Sequence, residues 1–295
     1  MKQAFFTYSS GIKYLHLAYT LARSYLYHNG NNIPFYIVSN NDFKLPKDLE
    51  DYISKKIISK EMAGKGLDFK LQLDLIAPEA ESIFIDADSI IYGPILNLFS
   101  LFPKANLNVI GTKVKMGEWV DESIPYLIEE FKLKYVIRYC GALYYLRKGE
   151  PLSNLFNSAR ELKKNRKFQQ HRHNFNEEPI LSILMSKLET EPIIDDGNIW
   201  GDLFHFNAGT SLNVLCNEQP VLFNSPLDQN KFWLPNGHYS PSIIHMGSSF
   251  YNKNPWLFDS LKLKLYFKFK LSKSISSWLV ETFVKKTYFL FKKFK

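Results

Sequence analysis

Two short, almost wholly apolar runs with an amphipathic stretch between them restrict what this chain can fold into. Gln3–Tyr8 reads QAFFTY and Pro34–Ser39 reads PFYIVS. Neither alternates polar with apolar residues, so each reads as a strand covered on both faces. Between them Leu15, Ala18, Tyr19, Ala22, Tyr25 and Leu26 recur at helical spacing, with Ser9 or Ser10 placed to cap the helix and Gly30 just past its end. Strand, helix and strand in this order require a crossover, hence parallel strands joined in the right-handed sense.

The pattern continues downstream. Phe69–Ile76 reads as a helix stopped before Pro78, and Ser82–Ile85 (SIFI) as a buried strand that runs straight into Asp86–Ala87–Asp88. Arg138–Leu146 reads as a strand or strand pair interrupted at Gly141, and Pro179–Leu188 as a short amphipathic helix. Phe204–Val214 reads as a strand turning at Asn207–Gly209, and Ser242–His245 as a short strand before a loop to Trp256. Strands alternating with helices, then a mixed second half, predict an α/β chain with an open, mostly parallel mixed sheet flanked by helices.

Composition narrows the function classes. At 295 residues, 45% hydrophobic and 22% charged, the chain is large enough and apolar enough for a real core. No run is long enough to span a membrane as an apolar helix, and the N-terminal MKQAFFTYSSG lacks the apolar stretch of a signal peptide. Cys140 and Cys216 follow no metal or redox spacing, which fits a cytoplasmic protein with reduced thiols. The formal charge of +8 is uneven: residues 261–295 hold ten Lys and one Glu, a net +9, leaving −1 for the rest. A body so nearly neutral argues against a nucleic-acid partner. A compositional break near Leu257 divides a domain at 1–257 from a basic, aromatic tail at 258–295. Leu261–Lys270 alternates strictly, whereas Trp278–Lys295 reads as a helix with Glu281, Lys285 and Lys292 on one face. Nine aromatic residues beside this charge suit an in-plane anchor on an anionic membrane surface.

The clearest chemistry belongs to Asp86 and Asp88. They end a buried strand, at the sheet edge where open α/β folds collect ligands. Apolar residues precede them, and Ile90–Gly93 follows, so the two charges need a partner. A nearby lysine is one candidate and a divalent cation such as Mg²⁺ or Mn²⁺ is the other. A cation there would hold a diphosphate and neutralise it as it departs. A second acid pair, Asp195–Asp196, follows the apolar Pro192–Ile194. That order is also the outline of a haloacid-dehalogenase-type phosphatase, with Asp86 as nucleophile. A non-catalytic sugar-nucleotide-binding protein is the other alternative.

Lys70–Gly93, KLQLDLIAPEAESIFIDADSIIYG, resembles the DxD region of GT-A glycosyltransferases, most nearly glycosyltransferase family 8 and its bacterial surface-polysaccharide relatives. Ile244–Trp256, IHMGSSFYNKNPW, resembles the same family's distal His, Gly, Lys, Pro, Trp signature. The resemblance implies a GT-A (nucleotide-diphospho-sugar transferase) fold. It also implies metal-dependent transfer of a hexose, with retention, from a UDP-sugar to a glycan or lipid-linked acceptor such as a lipopolysaccharide core. Carried over residue by residue, Asp86, Asp88 and His245 are metal ligands for Mn²⁺ or Mg²⁺. Lys70, Gly247 and Lys253 face the diphosphate, Asp86 and Ala87 the nucleotide sugar, and Thr7 and Tyr8 the uridine. Tyr139–Leu146 resembles the family's Asn-x-Gly strand beside the acceptor, with Cys140 in place of a polar residue. Asn176–Glu177–Glu178–Pro179 resembles the acidic motif near the anomeric carbon, which makes Glu178 and Glu177 catalytic candidates. Acids in a first helical turn are also what a helix dipole alone favours.

Overall fold

Phe5 and Phe6 are adjacent in sequence but point into two different apolar cores, one on each side of a central sheet. Their strand, β1 (Gln3–Ser9), alternates by two as any strand must. Phe5 meets Leu17, Leu21 and Tyr25 of α1 (Ile12–Asn29), whereas Phe6 meets Phe84 and the opposite helical layer. Each such fully buried side chain contributes about 1.5–3 kcal/mol. The computed structural model describes all residues except 65, 103–104, 166–176, 195, 204–211, 217, 225–236 and 294–295.

The main sheet has six strands. β3 (Ile53–Ile57), β2 (Phe35–Ser39), β1 and β4 (Glu81–Ile85) run parallel in that order. Leu143–Arg147 then pairs antiparallel with β4, and Leu107–Asn108 closes the edge. The expected open, mostly parallel mixed sheet is thus present, with α1 on one face and the helices Glu150–Asn165 and Glu177–Lys187 in the core on the other. Arg138–Leu146 is two strands in different sheets: Val136–Tyr139 pairs with Ile110–Val114, and Leu143–Arg147 joins the main sheet.

A third, small sheet matters most for the site. Its middle strand, Ile243–His245, runs parallel to Trp200–Asp202 and antiparallel to β5 (Ser89–Ile91), which leaves the Asp86–Asp88 turn. The register sets His245 beside Ser89 on one side and Asp202 on the other.

Several local expectations are corrected. Helix α1 begins at Gly11 with no side-chain cap, and the Ser9 hydroxyl donates to the Gly11 carbonyl instead. Gly30 does end the helix, at φ +66°, donating its N–H to the Leu26 carbonyl. Phe69–Ile76 splits into a 3₁₀ segment, Gly66–Gln72, and a single helical turn, Leu73–Ile76. The helix Glu177–Lys187 is buried on most sides rather than amphipathic. The turn Asn207–Gly209 and most of the Phe204–Val214 stretch lie outside the described residues, as do Asn176 and Asp195.

The alternating run Leu261–Lys270 is not a strand. Its residues 261–268 belong to the helix Trp256–Lys268, which packs on α1 and buries Trp256, Phe258 and Leu263. Here tertiary burial overrides a two-residue pattern. The expected boundary at 257/258 falls inside this helix. Lys262 is fully buried in it, 2.8 Å from Glu281 and 3.4 Å from Asp259, and Asp259 accepts a 2.5 Å hydrogen bond from Tyr92. The remaining tail is helical over Lys273–Leu279, Val280–Val284 (as a π turn) and Lys285–Lys293. Among the described residues no helix is long and apolar enough to cross a membrane.

Candidate functional site

At the carboxyl ends of β1 and β4 lies a cavity of about 490 Å³. β4 delivers Asp86 to it, and a tight turn (Ser89 N–H to Asp86 O, 3.0 Å) delivers Asp88. The small sheet carries His245 in from far along the chain, with the Met246 N–H bonded to the Asp88 carbonyl at 3.0 Å. Ligating atoms of Asp86, Asp88 and His245 lie within 4.8 Å of one another. His245 Nε2 is 3.2 Å from Asp88 Oδ1, and its Nδ1 is 3.3 Å from Asp202 Oδ2. A neutral ring with Nδ1–H given to Asp202 would turn the Nε2 lone pair towards the acid pair. Cys140, Asp202 and His245 form an overlapping cluster of potential ligands.

The 3₁₀ segment projects Lys70 into the same cavity. Its ammonium donates to Asp86 Oδ2 at 2.8 Å and to the Gly141 carbonyl at 2.7 Å. Glu178 accepts the Gly141 N–H at 2.5 Å, and Glu177 Oε1 lies 3.6 Å from the Lys70 ammonium. That distance is an ion pair but too long for a hydrogen bond, so Glu177 Oε1 is buried without a hydrogen-bond partner. Gly141 has to be small, since a Cβ there would stand 2.9 Å from the Tyr144 hydroxyl and 3.0 Å from Glu178 Oε1.

The charges are strongly perturbed. Burial alone would lower Lys70, but Asp86 and Glu177 outweigh it and hold the ammonium above its ordinary value. Burial raises Asp86 despite Lys70, and raises Glu177 likewise. Burial, aided by Glu177, pushes Glu178 to about 8. Asp88 would also rise on burial, but His245 beside it brings it below the usual range. His245 would fall on burial, yet Asp88 and Asp202 hold it well above its ordinary value. Burial pushes the Cys140 thiol to about 11, so it stays protonated.

Five carboxylates therefore crowd around one lysine and one titratable imidazole. The crowding of buried carboxyl groups and a donor set of two carboxylates and an imidazole fit a divalent cation.

The fold relates the chain to known structures. No protein-family model and no curated protein matches the sequence. Among solved structures it resembles the bifunctional glycosyltransferase WbbM (TM-score 0.50, 12% identity, 82% of this chain and 45% of that one). It also resembles the glycosyltransferase GlyE of Streptococcus pneumoniae TIGR4 (0.50, 13%, 97% and 64%) and the galactosyltransferase LgtC, solved with donor and acceptor sugar analogues (0.50, 11%, 82% and 86%). The chain has a GT-A glycosyltransferase fold. It spans about half to two thirds of the length of WbbM and GlyE.

Within this GT-A fold, Tyr8, Lys70, Asp86, Ala87, Asp88, Glu177, Glu178, His245 and Gly247 line one cavity. Thr7 does not. Neighbours on a strand face opposite ways, so with Tyr8 stacked on Phe69 at the cavity wall, Thr7 is buried on the α1 side. Lys253 does not either: a 3₁₀ turn at Ser248–Phe250 leaves it exposed, its N–H bonded to the Phe250 carbonyl. Asp196 is exposed and accepts hydrogen bonds from Asn198, outside the lining of this cavity. Asp202 is the residue that sequence reasoning missed. Its only signal is a short Trp-Gly-Asp run, and the strand pairing that puts it beside His245 cannot be read from spacing.

Proposed function

We propose that the protein is a metal-dependent glycosyltransferase of the family 8 type. It would move a hexose from a nucleotide-sugar donor, UDP-linked, to a glycan or lipid-linked glycan acceptor, with retention. The observation that carries this reading is the convergence of Asp86, Asp88 and His245 within 4.8 Å of one another in a donor-sized cavity. Those three residues would hold Mn²⁺ or Mg²⁺, which when bound supplies charge neutralisation for the departing diphosphate. Lys70, locked by Asp86 and the Gly141 carbonyl, adds a fixed positive charge on the protein side. Tyr8, Ala87 and Gly247 are the proposed contacts for the nucleotide, whereas Thr7 and Lys253 lie outside the cavity lining. Glu177 and Glu178, once ionised, are placed to stabilise positive charge at the anomeric carbon; burial holds both above the usual carboxylate range, with Lys70 pulling the other way.

The tail supports a peripheral position on the cytoplasmic face of an anionic membrane. Phe269, Trp278 and Phe283 are each more than half exposed among its lysines. Isothermal titration of UDP with and without Mn²⁺ tests the donor site. Asp88→Ala should abolish the metal-dependent part of UDP binding, and an unchanged affinity would reject the assignment.

A further inference from the structure

A second cavity, about 640 Å³, lies beside the first and is not used by the proposed transfer. Two shared elements separate them. Along α1, Tyr14 lines the first cavity, and His16 and Tyr19 the second. After the small sheet, Gly247 and Ser248 line the first, and Tyr251 and Asn252 the second. The rim between them is held by His16 Nδ1 and the Tyr251 hydroxyl, 2.9 Å apart. A chain of linked sugars leaving the first cavity over this rim would enter the second.

The lining has the chemistry of a saccharide site. Tyr251 and Trp256 stand with ring centroids 5.1 Å apart, and sugar rings pack on such faces. The Trp256 indole N–H is buried beside this lining without a hydrogen-bond partner in the protein, which makes its resonance a reporter of changes in the cavity.

The charge specifies the ligand further. Asp48 is already taken by Arg23, through bonds of 2.7 and 3.2 Å. Lys47, Lys264 and Lys268 remain, exposed and without an ion pair among the described residues, the last two one helical turn apart on the same helix face. Three uncompensated ammonium groups around an aromatic floor favour an anion.

We infer that the second cavity binds an anionic saccharide, carboxylate- or phosphate-bearing, as the distal part of the acceptor. The acceptor role rests on the glycosyltransferase reading; the binding of the saccharide does not.

The probe is trigalacturonate, with neutral galactotriose as control, titrated into the full chain while the Trp256 indole N–H resonance is followed by NMR. The resonance should shift with trigalacturonate and respond to galactotriose only at concentrations at least about tenfold higher. Raising the salt should weaken the response. The double variant Lys264→Ala/Lys268→Ala, at two exposed positions, should bind trigalacturonate about tenfold more weakly, the loss of two partly solvated charge contacts. Equal response to the neutral sugar, no shift with trigalacturonate, or full binding by the double variant would overturn the inference. So would anionic phospholipid vesicles that shift the resonance where the trisaccharide does not, since the groove would then be a membrane contact. UDP with Mn²⁺, titrated in parallel, reports separately on the first cavity: its failure there would sink the transfer reading and leave the second cavity's result standing.

Discussion

The role of Asp202 can be put to a quantitative test. Its carboxylate is nearly inaccessible and faces His245 Nδ1 at 3.3 Å, from a register partner on the neighbouring strand. Removing such a partner from a metal-ligating histidine costs about 10- to 100-fold in metal affinity, or about 1.4–2.7 kcal/mol. The distance is slightly long for an N–H to oxygen bond, so most of the effect is charge at close range in a buried setting. Asp202→Asn keeps an acceptor oxygen and loses the charge, and about a tenfold loss is expected. Asp202→Ala loses both, and the loss should approach 100-fold. Mn²⁺ titration followed by electron paramagnetic resonance gives the affinity directly, and a thermal melt of each variant confirms folding. Were both variants to remain folded and bind Mn²⁺ within twofold of the parent, Asp202 would have no hold on the imidazole and the orientation argument would fall.

Three further outcomes follow from buried charges. Lys70→Met strips the ammonium from Asp86 and Glu177 and should cost about 3–5 kcal/mol in urea denaturation without metal, part of it regained when Mn²⁺ is added; an unchanged midpoint would contradict the charge balance described above. His28 is bonded to the Val214 carbonyl at 3.0 Å, and burial pushes it down to about 4 despite that carbonyl. The fold thus holds the neutral ring: its contribution is complete above pH 6.5 and is lost as pH falls towards 4, up to about 3 kcal/mol. Comparing stability at pH 7.5 and 4.5, His28→Gln should lose less than the parent, and an equal loss would refute the assignment. Lys262→Met leaves Asp259 and Glu281 without their shared cation; tryptic nicking within 270–293 should accelerate, and unchanged cleavage would mean that the ion pair does not hold the tail in place.

Some of this could be read directly from the residues. The almost wholly apolar runs at Gln3–Tyr8 and Pro34–Ser39, with a helical stretch between them, read as strands covered on both faces, and the parallel sheet follows. Asp86 and Asp88 stood out because two charges embedded among apolar residues need a reason. What could not be read depends on direction and pairing. Thr7 and Tyr8 are neighbours near the strand end in sequence, yet the pleat sends Tyr8 to the cavity and Thr7 away from it. Lys253 matches a motif, but a 3₁₀ turn decides where it points. Asp202 reaches the site through a strand register that no local pattern encodes. The Leu261–Lys270 alternation misled because the helix buries Lys262 and Leu263 together, against the usual sorting of charged from apolar faces.

The small sheet built on Ile243–His245 makes completion of the candidate metal cluster wait on a strand far downstream of the Asp86–Asp88 turn. Until that strand docks between its two neighbours, the acid pair has Lys70 as its nearby cation and no imidazole. A ribosome-bound fragment ending before Ile243 would own the parallel strands of the main sheet and yet be unable to assemble the three-ligand cluster.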